Sequence, residues 1–539
     1  MQPDISSIQE KSARSLVWVC LAVSAVAAAH VLWLPRITVD DAFISFRYAR
    51  NLVEGNGLVF NLGERVEGYS NLLWVLLTAG GMKLGLDPIA WTRAMGAMSF
   101  LGVVALAMVT AFRFTASMLA TSAVGILLAT STALCASALS GLETGLFAFF
   151  VMAATTSIVW NHYATASWLF GFAAITRPEG AGLCVVATAL MAFSSTSDRP
   201  RRVFCILGPC MSMVAALLLF RLEYYGQFLP NSVQAKSAML SMLRSTDWQN
   251  WPGLILNKPG VEYAADFLQY AFGPVALIAL VPVMADSRFK FAVRFMAAAV
   301  AMGLAVAVYN FGDWMSAFRL LTPYLPLLTL LVVLGAVVFL QWLQERGPAW
   351  VAPARFAAAA VLLFCAVGQF QFRQPPTAGS PDLELADILN RSEQSELLAS
   401  TDVLGRLGYY ASNTRILDMA GLTDAHIARF GEPRPPFGRN DFGYVLACEP
   451  QFIMNNVRTA WHRHLNRAAF VSAYWWVDRP AWTLPAASRG KPRFVFVRRD
   501  TRLEEEIRRR FSDAVLRSPS DLLYENQTAD PEGKLAFRD

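Results

Sequence analysis

Long apolar blocks alternate with short polar segments over most of this chain and predict membrane-spanning helices. Each block holds roughly 17–25 mostly apolar residues, enough for a helix to cross about 30 Å of hydrocarbon. About eleven spans are predicted on this basis, near residues 15–34, 71–86, 92–112, 117–139, 142–160, 165–193, 203–221, 263–284, 291–309, 318–341 and 353–370. An uncleaved first span is favoured over a cleaved signal peptide, because it is long enough to cross and many spans follow it.

The pattern changes after Phe372 to short apolar runs separated by turns and charges. Runs at 397–400, 415–419, 452–454 and 493–497 predict strands. The sequence therefore predicts an all-α polytopic membrane protein with a C-terminal α/β domain. We place the membrane domain at 1–371, with a first exterior loop at 35–70, and the second domain at 372–539, with a disordered tail from about residue 519.

Composition and charge support this division. The chain is 55% hydrophobic and 16% charged, whereas soluble domains average about 25% charged residues. The net charge of +6 is spread over short loops, which argues against nucleic-acid binding. Basic loops at 198–202, 287–294 and 345–355 predict cytoplasmic segments, which leaves 35–70, 223–262, 310–317 and the C-terminal domain outside. The orientation of 139–180 stays open.

Cysteine and histidine usage narrows the chemistry. Six of the seven cysteines lie in apolar blocks and only Cys448 lies in the C-terminal domain, which excludes a disulfide within that domain. There is no HExxH or paired CxxC motif, and His462 and His464 read as surface residues. We therefore expect no metal and no cofactor.

Two adjacent carboxylates, Asp40 and Asp41, begin a segment with helical periodicity that ends near Gly55. Ile44, Tyr48 and Leu52 form an apolar stripe, as in a helix lying on a membrane surface. Aspartate at a helix start is commonly an N-cap, and spacing alone favours that interpretation. The alternative is a general base that takes a proton from an acceptor hydroxyl.

Charges also interrupt the apolar blocks. Arg177-Pro178-Glu179 breaks a predicted span, and such breaks are tolerated where they face protein or a wet cavity. Ionisable residues within apolar sequence are functional candidates, although a buried Arg–Glu pair can be purely structural. Arg319 has the alternative of extending from a span end to the membrane interface.

Residues 39–77 (VDDAFISFRYARNLVEGNGLVFNLGERVEGYSNLLWVLL) resemble the first loop and second span of bacterial arabinofuranosyltransferase-like members of the GT-C glycosyltransferase superfamily. Further similar segments lie at 140–145, 176–180, 224–236, 312–326 and 402–428. The chain departs from the family at Leu72, where the family usually has proline. The resemblance implies a bundle of many transmembrane helices, a catalytic acid in the first exterior loop, a lipid-phosphate sugar donor and a globular exterior domain.

This resemblance and the charge pattern together select the candidate residues. Asp40 and Asp41 are the candidate catalytic acids, and either could be the base. Positive groups are also needed, because a departing phosphate must be stabilised. The expected donor or substrate contacts are Arg47, Tyr48, Glu67, Tyr69, Asn71, Glu143, Arg177, Glu179, Tyr225, Asn231, Lys236, Asp313, Trp314 and Arg319.

The predicted function is transfer of a sugar, with arabinofuranose first, from a polyprenyl-phosphate carrier to a glycan, lipid or protein acceptor outside the bacterial cytoplasmic membrane. Membrane lipids are the other expected partners. A different polyprenyl-phosphate sugar, a transporter or flippase for lipid-linked sugars, and an inactive carrier-binding scaffold are the alternatives. The aromatic residues Tyr474, Trp475, Trp476 and Trp482 could stack on an acceptor sugar or form a core.

Overall fold

The computed structural model describes residues 5–35, 37–194, 198–285, 289–315, 317–370, 382–392, 398–401, 404–434, 438–455, 467–479 and 494–521. The chain divides into two compact units. The first unit comprises Met1–Thr38, Ser70–Phe228 and Met239–Gln374, and the second comprises Val39–Tyr69, Leu229–Ala238 and Pro375–Asp539. Packing thus joins 39–69, most of the predicted first loop, to the C-terminal segment, whereas the sequence boundaries grouped it with the spans.

Helices account for most of the described chain. In chain order they are α1 (Ile5–Trp33), α2 (Asp40–Val53), α3 (Leu72–Lys83), α4 (Pro88–Thr115), α5 (Met118–Ala129), α6 (Thr132–Leu139), α7 (Thr144–Val159), α8 (Tyr163–Thr176), α9 (Glu179–Ala192), α10 (Arg199–Tyr225), α11 (Asn231–Lys236), α12 (Ala238–Ser245), α13 (Trp251–Ile255), α14 (Lys258–Ala271), α15 (Val281–Met284), α16 (Lys290–Tyr309), α17 (Leu325–Arg346), α18 (Val351–Phe370), α19 (Asp382–Arg391), α20 (Gly405–Tyr410), α21 (Ala425–Phe430), α22 (Phe442–Ala447), α23 (Ala468–Ala473) and α24 (Arg502–Arg510).

Six segments among the described residues are long and apolar enough to cross a membrane. They are Arg14–Trp33, Pro88–Thr115, Arg199–Tyr225, Lys290–Tyr309, Thr322–Arg346 and Val351–Phe370. The number rises to eight if two bent helix pairs, Met118–Ala129 with Thr132–Leu139 and Trp248–Ala271 with Gly273–Met284, each count as one span. The protein is therefore a multi-pass membrane protein, and the sequence-based count of eleven spans is not confirmed by this measure.

Local backbone chemistry explains why several predicted spans are short. Helix α8 ends at Thr176, and the next residue, Arg177, has an extended backbone (φ −153°, ψ 139°), because Pro178 disfavours helical geometry in the residue before it. Helix α6 ends before Gly141, which has a φ of +86°, a left-handed conformation that glycine adopts without steric cost. Both breaks leave polar side chains at the ends of apolar helices.

The second unit contains a mixed sheet. Its strands are β1 (Leu398–Thr401), β2 (Arg415–Asp418), β3 (Glu432–Arg434), β4 (Gly438–Asn440), β5 (Phe452–Asn455), β6 (Tyr474–Asp478), β7 (Phe494–Arg498) and β8 (Val515–Arg517). Six strands form one sheet in the order β2-β1-β5-β7-β6-β8, while β3 and β4 form a separate antiparallel pair. β1 is parallel to β2 and β5, and the remaining pairings are antiparallel. All four strands predicted from the sequence are present.

Candidate functional site

The acidic pair lies in the first turn of α2, but it does not cap that helix. Val39 is the N-cap residue and makes no side-chain cap bond. The carboxylate of Asp40 instead accepts hydrogen bonds from the backbone N–H groups of Gly405 and Arg406, each 2.9 Å long. Asp40 therefore caps α20, a helix that begins 365 residues later. The N-cap interpretation was right about the chemistry and wrong about the helix.

The backbones of α2 and α20 approach each other closely at Gly405. A Cβ atom at this position would lie 1.9 Å from the carbonyl oxygen of Asp40 and 2.7 Å from its Oδ2 atom. Real side chains do not tolerate such distances, so residue 405 must lack one. The loop that begins α20 can donate to Asp40 only because a glycine stands there.

Asp40 has an unusual ionisation equilibrium. The pKa of Asp40 is raised to about 7, mainly by burial and next by the charge of Asp382, while hydrogen bonds from the Arg406 and Gly405 amides oppose this rise. Asp382 is buried, with 1% of its surface exposed, at the start of α19. Two carboxylates at close range disfavour simultaneous ionisation. Sequence reasoning missed Asp382, because nothing in its local sequence connects it with Asp40.

Arg47 does not face solvent or membrane. Its side chain is buried and donates from Nε to the carbonyl of Phe60 at 2.7 Å and from Nη2 to that of Thr414 at 2.9 Å. Its Nη1 atom donates to the carbonyl of Gly408. Burial lowers the pKa of Arg47 to about 9, so it stays charged at neutral pH. Each side-chain nitrogen of Arg47 therefore donates to a backbone carbonyl. These bonds indicate that Arg47 stabilises the fold rather than contacting a phosphate.

Tyr48, Glu67 and Tyr69 are also buried. The Tyr48 hydroxyl donates to the carbonyl of Val66 at 2.6 Å and accepts from the N–H of Gly68 at 2.8 Å. The Tyr69 ring packs edge-on against Tyr48, with centroids 4.7 Å apart. These contacts stabilise the conformation of the end of the first loop.

Asn231 and Lys236 occupy α11. The Asn231 Nδ2 group donates to three backbone carbonyls, those of Gly421, Leu422 and Asp424, at 2.9–3.1 Å. Asn231 therefore stabilises the turn before α21 through these hydrogen bonds. Lys236 is half-buried and has no ion-pair partner among the residues that the structure describes. The second unit contains two of the predicted cations, Arg47 and Lys236. Within the described chain, Arg47 donates to internal carbonyls, whereas Lys236 pairs with no carboxylate.

The first unit brings six predicted residues into one polar group, which we call the first-unit cluster: Asn71, Glu143, Arg177, Glu179, Asp313 and Arg319. Arg177 and Glu179 pair at 2.6 Å, and Arg319 and Asp313 pair at 3.0 Å. Arg177 also interacts electrostatically with Glu143 and Arg319. Asn71 donates to Glu143 at 2.8 Å. With three acids and two arginines, the cluster does not carry the excess of positive charge expected of a phosphate site.

Two tyrosines that the sequence did not single out belong to the surroundings of this cluster. Tyr324 interacts with Glu179 and Arg177, and Tyr263 with Asp313. Within the described chain, the buried Arg177 Nη1 and Tyr324 Oη atoms have no hydrogen-bond partner. Both are donors that a bound hydroxyl or carboxylate oxygen would satisfy.

The other predicted contacts lie elsewhere. Trp314 is exposed and Tyr225 is buried against Tyr224, with ring centroids 4.8 Å apart. In the second unit Tyr474 and Trp476 are core residues of the sheet, so they are not a sugar-stacking surface, and Trp482 lies outside the described residues. Over the part of the chain described, no group of three or more His, Cys, Asp or Glu side chains is arranged to hold a metal.

The fold matches that of a known glycosyltransferase. Archaeal oligosaccharyltransferase AglB from Archaeoglobus fulgidus superimposes with a TM-score of 0.52, covering 91% of this chain and 77% of that one at 10% identity. This chain has the GT-C fold. The GT-C helices carry the first-unit cluster, and the sequence-based resemblance to this superfamily is confirmed.

Sequence comparison gives a narrower likeness. The chain is 30% identical over 246 residues to a terminal β-(1→2)-arabinofuranosyltransferase of Mycobacterium tuberculosis, and 31% identical over 252 residues to one of Corynebacterium glutamicum. These matches cover 42% and 40% of this chain. The chain spans less than two-fifths of the length of these relatives, 39% and 35% respectively. Residues 368–501 of the chain also match a domain of unknown function, DUF8728.

Proposed function

We propose that this GT-C protein is a membrane glycosyltransferase that moves a sugar, most simply arabinofuranose, from a polyprenyl-phosphate carrier to a glycan, lipid or protein acceptor. The observation that carries the proposal is the 30–31% identity to two terminal β-(1→2)-arabinofuranosyltransferases. A lipid-phosphate carrier is supported by AglB, which shares the fold and has been solved with a dolichol-phosphate and an inhibitory peptide.

Asp41 is the proposed general base. Both oxygens of its neighbour Asp40 already accept backbone N–H bonds, so we assign Asp40 to positioning and Asp41 to proton removal. In the proposed step Asp41 removes the acceptor hydroxyl proton while the acceptor oxygen bonds to the anomeric carbon. The bond from that carbon to the phosphate oxygen breaks, and its electron pair leaves with the lipid phosphate. No metal or other cofactor enters this step.

The predicted cations receive different roles. Arg47 is committed to carbonyls, and Arg177 and Arg319 each face a carboxylate, so Lys236 is the proposed phosphate contact. Within the first unit, the first-unit cluster and Tyr324 are proposed to bind hydroxyl groups, because the carboxylates accept and the Arg177 Nη1 and Tyr324 Oη donors have no partner in the described chain. Following the positive charge of the loops at 198–202, 287–294 and 345–355, we propose chemistry on the outer face of a bacterial cytoplasmic membrane.

The test is transfer from radiolabelled polyprenyl-phosphate arabinofuranose to an arabinan oligosaccharide by the full chain in nanodiscs. Asp41→Asn should abolish transfer while donor binding persists. Asp87→Asn, which alters an exposed N-cap that accepts from Ala90, is the matched control and should transfer normally. Full transfer by Asp41→Asn would overturn the assignment of the base. Carrier translocation without transfer by the wild type would favour a flippase instead.

A further inference from the structure

We infer that the C-terminal segment of the second unit acts in the reaction as a positioning element for the acidic pair, with Gly405 as its key residue. The inference rests on the proposed function, because it assigns Asp41 as the base. It goes beyond acceptor recognition, the role that the aromatic pattern of this segment suggested.

The carboxylate of Asp40 is held at both oxygens. Oδ2 accepts from Gly405 and Oδ1 from Arg406, both at 2.9 Å. A carboxylate held by two N–H donors of a helix start cannot rotate about its side-chain torsions without losing a charge-assisted bond. The two amides therefore fix the direction of the Asp40 side chain.

The rest of α2 is fixed by the same segment. About two and three turns further along the helix, Arg47 donates to the carbonyl of Thr414 at 2.9 Å and Arg50 to that of Tyr409 at 2.7 Å. Successive residues of a helix are separated by about 100° of rotation. Once Asp40 and Arg47 are anchored, the direction of Asp41 from the helix axis is determined as well.

Charged residues near Asp40 affect whether its carboxyl group is ionised. Asp382 of α19 and Asp41 both oppose ionisation of Asp40. Arg406 of α20 lies over the Phe43 ring, with its guanidinium carbon 5.5 Å from the centroid. If Asp40 takes up a proton, one of its oxygens becomes a donor and opposes a backbone N–H group. Positioning therefore requires an ionised Asp40, and Asp382 helps to set the pH at which positioning begins.

The experiment compares Gly405→Ala with Gly443→Ala in the transfer assay. Gly443 lies in a helix of the same unit, where an added Cβ would meet nothing closer than 3.5 Å. A misplaced catalytic group costs on the order of 100-fold in rate, so Gly405→Ala should lower kcat by about that factor with an unchanged donor KM. Gly443→Ala should retain wild-type kinetics. A folded Gly405→Ala protein with wild-type kcat would overturn the inference.

A second variant covers the case in which Gly405→Ala does not fold. Asp382→Asn keeps the side-chain size and removes the charge facing Asp40, so the acid limb of its kcat/KM profile should move to lower pH. A purely structural role would lower activity at every pH without moving that limb, and this result would contradict the inference.

Hydrogen exchange separates this inference from the proposed function. If the wild type transfers no sugar with this donor and acceptor, the proposed function fails. The contact is still tested, because Asp40→Asn should accelerate amide exchange at residues 405 and 406 relative to Asp87→Asn. Unchanged exchange at these amides would refute the positioning contact.

Discussion

Replacing Arg47 by methionine distinguishes the anchoring role that the structure assigns from the phosphate contact that the sequence predicted. Arg47 satisfies the buried carbonyls of Phe60, Gly408 and Thr414. Methionine keeps much of the side-chain volume and removes every donor. Each carbonyl left buried without a donor costs about 1–3 kcal/mol, and single substitutions seldom exceed about 5 kcal/mol. We therefore expect a loss of about 3–5 kcal/mol, consistent with both limits.

Thermal unfolding of the purified chain in detergent measures this effect. A loss of 1 kcal/mol lowers Tm by about 2–4 °C for a domain of 150–250 residues, so Arg47→Met should unfold about 6–20 °C earlier. Arg50→Met is the matched control. Arg50 lies on the same helix, is partly exposed, donates to the carbonyl of Tyr409 at 2.7 Å and lies 3.9 Å from Glu54, so its loss should cost only about 0.5–1.5 kcal/mol.

The result that refutes this reasoning is specific. If Arg47→Met unfolds at the same temperature as Arg50→Met and instead raises the donor KM, Arg47 binds substrate and the carbonyl contacts contribute little. A large fall in Tm with an unchanged donor KM in the surviving folded fraction supports the anchor.

Three further outcomes are expected. Asp313→Asn leaves the partly buried guanidinium of Arg319, whose side chain is 16% exposed, without its carboxylate partner and should destabilise the chain by about 1.5–3 kcal/mol, measured as a fall in Tm; an unchanged Tm would contradict a stabilising ion pair. Asn61→Ala removes the two bonds that the Asn61 amide makes with the N–H and carbonyl of Ile416, so the Ile416 amide should exchange faster. Burial raises the pKa of Asp418 from 3.8 to about 6, so the folded state binds the proton more tightly and stability should fall as pH rises across that window. Asp418→Asn should reduce the slope of Tm against pH in this range. A slope as steep as that of the wild type would contradict the assignment of this dependence to Asp418.

Much of the fold followed from the sequence. Runs of apolar residues indicated membrane helices because length and hydropathy alone decide whether a segment can cross a bilayer. The strands near 398–401 and 415–418 followed from short apolar runs between turns. The number of spans did not follow, because hydropathy measures apolar length and does not show which apolar segments bend or end early, as at Gly141.

The candidate site was predicted in part. Glu143, Arg177 and Glu179, chosen as charges within apolar sequence, lie together in one cluster with Asn71, which was chosen at the start of the second span, because charged groups in a membrane protein pair with one another or contact water. Asp40 was predicted as one of two candidate catalytic acids, and its hydrogen-bond partners were not foreseen. No local signal connects it with Gly405.

The sequence by itself determined which segments are apolar enough to cross a membrane, which form strands, and which superfamily the chain resembles, because these properties reside in local composition and order. Only the tertiary structure decided what the polar side chains do. Arg47 reads from its helix as an exposed cation, yet residues more than 350 positions away surround it with carbonyls. Whether a charged residue stabilises the fold or takes part in chemistry depends on which distant backbone groups contact it. Packing, rather than spacing along the chain, determines those contacts.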